Sequence, residues 1–257
     1  MCPIFGSIVN PSHHLVCHCL LIETNAGLVL VETGFGMEDI AAPARRLGPA
    51  VMMSSRPVLD PKETAISQIR ELGFSRDDVR HILCTHLDID HGGGISDFPK
   101  ATVHIHALEH EAAFNGTFTD RQRYRLKKWK AVPKFATYSE EGEPWFGFDA
   151  VRQLHGLPPE ILLIPLFGHS RGHCAIAVDA GERWLLHCGD AYFYEGEVDP
   201  SGRRGTRGLD IFQWVTQVDA EQRIDNQRRL RELNRDHGDE VAIFSAHDPS
   251  EFAALAD

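Results

Sequence analysis

No run of apolar residues in this 257-residue sequence approaches the roughly 18–20 needed to cross a bilayer, so a membrane-spanning helix is not expected. The first residues, Met1 to Asn10, lack a basic stretch leading into a long apolar one, and no signal peptide is expected. Paired cysteines are missing as well. The six present (Cys2, Cys17, Cys19, Cys84, Cys174 and Cys188) are dispersed, mostly in apolar segments, and none forms a CxxC pair. They read as reduced, buried thiols in a cytoplasmic protein. Positive charge is scarce: 26 Lys and Arg stand against 37 Asp and Glu, a net charge of −11. Nucleic acids and anionic membranes are drawn to basic faces, so neither is an expected partner.

Histidine is abundant, with 15 residues where a chain of this length would carry about half as many. Histidine is the commonest metal ligand, so clustering matters more than the total.

Residues 13–24 and 28–33 read as strands, joined by a hairpin turn at Asn25-Ala26-Gly27. Residues 41–60, with three prolines, read as irregular loop. A helix is expected from Asp60, with Pro61 as its first residue, Glu63 closing a capping box and Gly73 ending it. Further strands are expected at 79–85, 102–106, 161–166, 174–179, 183–188 and 241–245, and a charged helix at about 219–235. Residues 107–150 differ: they are rich in aromatics and include six cations between Arg121 and Lys130, which read as a solvated helix face. The overall expectation is one α/β domain spanning 1–257, with a helical, aromatic-rich insert around 107–150.

The most informative segment is Thr85-His86-Leu87-Asp88-Ile89-Asp90-His91-Gly92-Gly93-Gly94. It places four ligand-type side chains within six residues at the end of a predicted strand. Extended spacing sends His86, Asp88 and Asp90 to one side, and a turn can swing His91 inward. Imidazoles with carboxylates suit zinc, iron, manganese or cobalt, and the absence of local thiolates argues against a structural cysteine-rich zinc site. Three later segments also put a ligand-type residue after a strand: Gly168-His169-Ser170-Arg171-Gly172-His173, Cys188-Gly189-Asp190, and Ser245-Ala246-His247-Asp248.

In this order the four segments resemble the metallo-β-lactamase superfamily over nearly the whole chain. The resemblance implies a four-layer αβ/βα sandwich and two divalent metal ions, with zinc first and manganese or iron as alternatives. It implies that His86, residue 88 and His169 hold one ion, that Asp90, His91 and His247 hold the other, and that Asp190 bridges both. His173 is then not a ligand. Val31-Glu32-Thr33-Gly34 is similar to the family's D-T-G turn, with Glu32 in place of aspartate.

One departure concerns Asp88, where the family's loop has histidine, giving HxDxDH. Carboxylate oxygen makes the site harder and more anionic, which favours manganese or iron.

The expected function is a dinuclear metal-dependent hydrolase that opens a small ester or lactone, with Asp90 as the proton carrier. The alternatives are a glyoxalase-II-like thioester hydrolase and, because of Asp88, a non-haem iron redox protein. The chain looks most like the N-acyl-homoserine lactone lactonase group, whose tyrosine after the bridging aspartate is replaced here by Phe193. Phe193 and Tyr194 are therefore expected substrate contacts. His104 and His106 read as supporting or surface groups, and Cys188 as a buried thiol. A homodimer is an expectation that rests on the resemblance alone.

Overall fold

The computed structural model describes residues 4–10, 13–124, 134–139, 142–148 and 152–256. In chain order its strands are β1 (Ile4–Asn10), β2 (His13–Cys17), β3 (Leu20–Thr24), β4 (Gly27–Val31), β5 (Val79–Leu83), β6 (Thr102–His106), β7 (Phe135–Tyr138), β8 (Arg152–Gln153), β9 (Ile161–Pro165), β10 (Cys174–Asp179), β11 (Trp184–His187) and β12 (Val241–Phe244). The helices are α1 (Met37–Ala41), α2 (Pro43–Arg46), α3 (Gly48–Ser54), α4 (Ala65–Glu71), α5 (Ile89–Gly92), α6 (Ala107–Asn115), α7 (Phe118–Tyr124), α8 (Arg207–Thr216), α9 (Ala220–His237) and α10 (Pro249–Ala256). None is long and apolar enough to cross a membrane.

Two mixed sheets follow among the described residues, in the orders β3-β4-β5-β6-β7 and β12-β11-β10-β9-β8, beside a β1-β2 ribbon. The period-2 alternation of their side chains dictates the layering. In β4, Val29 and Val31 face the second sheet, while Leu28 and Leu30 face helices. In β9, Ile161 and Leu163 face the first sheet, while Leu162 and Ile164 face the opposite way. Ile176, Phe244, Leu83 and Val31 thus share a core between the sheets. On the outer faces, α4 and α6 pack on the first sheet through Ile66, Ile69 and Ala112, and α9 packs on the second through Leu230 and Leu233. The result is the expected αβ/βα sandwich.

Four local expectations are corrected. The strand at 13–24 breaks at His18-Cys19, because Val16 N and His18 N bond to the carbonyls of His247 and Ala246 at 3.2 and 2.9 Å instead of continuing a ladder. Residues 41–60 are largely helical, since Pro43 and Pro49 sit in first turns, where a proline's missing N–H leaves nothing unpaired. Asp60 caps only a single 3₁₀ turn, Pro61–Glu63, and the α-helix proper starts after Thr64. Among its described residues the insert is helical only in α6 and α7. It returns to the first sheet as β7, parallel to β6 from Val103↔Phe135 to His106↔Tyr138. Residues 125–130 of the basic run lie outside the described residues. Arg121 is exposed, whereas Arg123 turns inward.

Candidate metal centre

β5, β9, β11 and β12 end at the same rim of the sandwich, and the loop after each delivers ligand-type residues. The segment after β5 brings His86 and Asp88 from its loop and Asp90 and His91 from α5. The loops after β9, β11 and β12 bring His169, Asp190 and His247. All seven come together. Among the described residues, two sets have candidate ligand atoms within 4.8 Å of one another: His86 with His169 and Asp190, and Asp90 with His91 and His247.

Asp190 joins the sets. Its Oδ2 lies 3.3 Å from His169 Nε2 and 3.9 Å from His86 Nε2, while its Oδ1 lies 3.1 Å from His91 Nε2 and 3.0 Å from His247 Nε2. Asp88 Oδ2 lies 3.3 Å from both His86 Nε2 and His169 Nε2. Asp90 stands on the other side, 3.8 Å from His247 Nε2.

Three of the four imidazoles are oriented from behind, while His169 Nδ1 is buried and makes no hydrogen bond. His247 Nδ1 meets Val16 O at 2.7 Å, and His86 Nδ1 meets Thr85 Oγ1 at 2.9 Å. His91 Nδ1 lies 3.1 Å from Glu32 Oε2, while Glu32 Oε1 accepts from Thr85 N at 2.5 Å. Glu32 adopts φ of 61°, a region few non-glycine residues occupy, and this conformation accompanies its reach to both Thr85 and His91. Holding one ring nitrogen in this way aims the other as an acceptor, the usual outer support of a metal-binding histidine. The donors also fit an ion by what they lack: His86 Nε2, His91 Nε2 and Asp190 Oδ1 are buried and make no hydrogen bond. Such orphans are costly in a folded interior unless a bound group satisfies them.

The electrostatics agree. Burial alone would raise the Asp190 pKa, but His91, His247 and His169 hold it well below the ordinary carboxylate range. Burial would lower His91, yet Asp190, Glu32 and Asp90 push it well above its usual value. His86 behaves oppositely, because burial and the adjacent His91 outweigh Asp88 and hold it well down.

His173 is excluded as a donor: its Nδ1 meets Leu166 O at 2.9 Å, and its Nε2 accepts from Asp190 N at 2.9 Å. It shapes the Asp190 loop instead. Gly189 in that loop has φ of +53°, and a Cβ there would lie 2.6 Å from His173 Nε2. Gly93 serves backbone packing rather than access to an ion, since a Cβ on it would meet Asp39 Oδ2 at 2.3 Å. Cys188 is buried in the apolar core beneath the second sheet. His104 and His106 are buried too, not on the surface: His104 bridges His81 and Tyr138, and His106 caps α6 by accepting from Leu108 N.

A cavity of about 510 Å³ opens onto Asp88, Asp90, His169, Asp190 and His247. Its walls include Phe35, Leu47, Val51, Phe193, Phe212 and Val215. Phe193 lies parallel to the His247 ring at 5.1 Å. Tyr194 is half-buried and does not line the cavity, and the Tyr192 hydroxyl donates to Glu251 Oε1 at 2.7 Å. Of the insert's aromatics, Tyr124 reaches the cavity, while Phe114 and Phe135 pack on the first sheet's core.

Two functional side chains escaped the sequence reading. Glu109, fully buried on α6, accepts from Leu87 N (3.0 Å), Ser170 Oγ (2.7 Å) and Gly172 N (3.0 Å), tying the His86 loop to the His169 loop. Arg123 forks onto Asp88, with Nε to Oδ1 at 2.6 Å and Nη2 to Oδ2 at 2.5 Å. An unmatched carboxylate in a histidine-rich loop was a signal that a cation must lie near, but nothing in the spacing said which.

With this geometry in place, comparison with known proteins decides the family. A model of the metallo-beta-lactamase superfamily matches residues 14–236. The chain belongs to the metallo-beta-lactamase superfamily. It is 43% identical to a Mycobacterium tuberculosis protein named probable metallo-hydrolase, over 95% of this chain and 78% of that one. An N-acyl homoserine lactonase of Bacillus thuringiensis is 24% identical over 95% of this chain and 84% of its own length. A solved N-acyl homoserine lactone hydrolase with N-hexanoyl-L-homoserine at its metal centre superposes with a TM-score of 0.74 and 19% identity, covering 99% of this chain and 94% of that one. That superposition shows the shared fold, and family and relatives together make the chain a metallo-hydrolase of this superfamily.

Proposed function

We propose that the protein is a dinuclear metal-dependent hydrolase acting on a small ester or lactone. The observation that carries this reading is the split of Asp190, with one oxygen facing His86 and His169 and the other facing His91 and His247. His86, Asp88 and His169 would hold one ion, Asp90, His91 and His247 the second, and Asp190 both. Divalent ions held there would acidify water and polarise the acyl carbonyl. Zinc suits the histidines, and the extra carboxylate at Asp88 keeps manganese and iron open.

The chain's own groups do the rest. Asp90 lines the cavity beside both histidines of its set, so a carboxylate oxygen there can accept a proton and return it to the leaving alkoxide. Phe193 stacks on His247 and Phe212 packs edge-on against Phe193, giving the site an apolar wall. The apolar wall suits an acyl chain, and lactone-opening relatives, together with AidC, a structural neighbour described as a dizinc lactonase, support both bond class and ion count.

The test strips the protein with chelator, reloads it with zinc or manganese, and assays lactones, aryl esters and thioesters. Lactone or ester turnover should vanish and return. Turnover that survives stripping, or thioesters as the sole substrates, would contradict the reading.

A further inference from the structure

The guanidinium of Arg123 is committed on every nitrogen. Beyond its fork onto Asp88, Nη1 donates to His169 O at 3.1 Å and to Thr216 O at 2.8 Å, and Nη2 lies 2.8 Å from His169 Nε2. Nη2 therefore approaches two of the atoms assigned above to the first ion, Asp88 Oδ2 and His169 Nε2. These two acceptors differ in capacity. A carboxylate oxygen has two lone pairs and can serve an arginine and a metal together, whereas an imidazole nitrogen has one. His169 Nε2 can accept a hydrogen bond from Arg123 or hold an ion, but not both.

The other half of the centre has no such rival. His91 Nε2 and His247 Nε2 face Asp190 Oδ1, and among the described residues no guanidinium or ammonium group bonds to either. An arginine, unlike a lysine, does not lose its charge at any pH a folded protein meets, so only displacement removes the competition.

We propose that Arg123 is an internal competitor for the first metal position. It occupies the lone pair of His169 and neutralises Asp88, so the two positions load with unequal affinity, and filling the first requires Nη2 to leave His169. Asp88 keeps its arginine throughout, which makes the Asp88–Arg123 pair a less anionic donor than a free aspartate. The inference rests on the proposed reading of His169 and Asp88 as ligands.

Chelator-stripped full-length protein is titrated with Zn²⁺ and, separately, Mn²⁺ by calorimetry, and bound metal is counted by mass spectrometry after gel filtration. Wild type should bind two equivalents of split affinity. Arg123→Gln should tighten the weaker equivalent at least 10-fold and leave the stronger within 3-fold. Arg121→Gln removes the same charge from an exposed position on α7 and should change neither equivalent by more than 3-fold. Circular dichroism verifies folding; if Arg123→Gln fails to fold, Arg123→Lys keeps the charge without the fork and should give a smaller tightening of the same equivalent. An unchanged or weakened second equivalent in the folded variant overturns the role of Arg123. Two wild-type equivalents of equal affinity do the same. Protein that binds no metal in either form instead overturns the metal-centre reading itself.

Discussion

Replacing Glu109 with glutamine tests whether one buried carboxylate locks the two halves of the rim together. The native side chain accepts from Leu87 N, Ser170 Oγ and Gly172 N, and it also bonds the Tyr124 phenol. Glutamine matches the shape but turns one acceptor into a donor. If its oxygen keeps Ser170 and Gly172, its amide nitrogen faces Leu87 N, and two donors meet in a dry interior. One buried unsatisfied donor costs about 1–3 kcal/mol, and the bonds that remain lose their charge-assisted strength, so a total of about 2–4 kcal/mol is expected. For a chain of this size that lowers Tm by roughly 5–12 °C. Thermal unfolding followed by circular dichroism reads this directly. Because Glu109 couples the loops of His86 and His169, metal affinity should fall as well. A variant that melts within 1 °C of wild type would refute the coupling.

Glu32→Gln would present an amide N–H to His91 Nδ1, leaving the ring proton on Nε2, the wrong nitrogen for a ligand. A 10- to 100-fold loss of metal affinity is expected, and titration within 3-fold of wild type would discount the support role. Gly189→Ala puts a Cβ 2.6 Å from His173 Nε2 at a positive φ, so it should destabilise by about 2–4 kcal/mol in urea unfolding; an unchanged midpoint would mean the turn relaxes freely. Burial, with Asp248 and Glu195 nearby, pushes the Glu251 pKa up to about 8 from 4.5. The folded carboxyl keeps its proton across a window in which the unfolded chain loses it. This contribution is thus present below pH 4.5 and is lost as pH rises towards about 8. Glu251→Gln cannot ionise, so its Tm should gain on wild type steadily from pH 5 to pH 8.5. A constant difference would remove Glu251 as the cause.

What the sequence made legible was whatever had a short period or a short spacing. Short continuous apolar runs at Ile161–Pro165 and Cys174–Asp179 marked both strands, and HxDxDH with its three later partners located the rim that the strands share. Proline in 41–60 misled because its effect depends on position: at Pro43 and Pro49 it starts helices rather than breaking them. β7 was hidden because Phe135–Tyr138 sits among aromatics whose packing partners are set by the fold, not by local periodicity. Arg123 and Glu109 were missed for one reason. Arg123 finds partners 35 to 93 residues away and Glu109 up to 63 residues away, and no spacing rule reaches that far. Arg123 was misassigned to a solvated face because composition counts charges without saying which ones turn inward.

Anomalous diffraction from crystals saturated with zinc, with data collected on both sides of the zinc edge, most directly tests the account. Two peaks are predicted, one beside each oxygen of Asp190, bounded by His86 and His169 on one side and by His91 and His247 on the other. A single peak at saturation, or peaks away from Asp190, would contradict it.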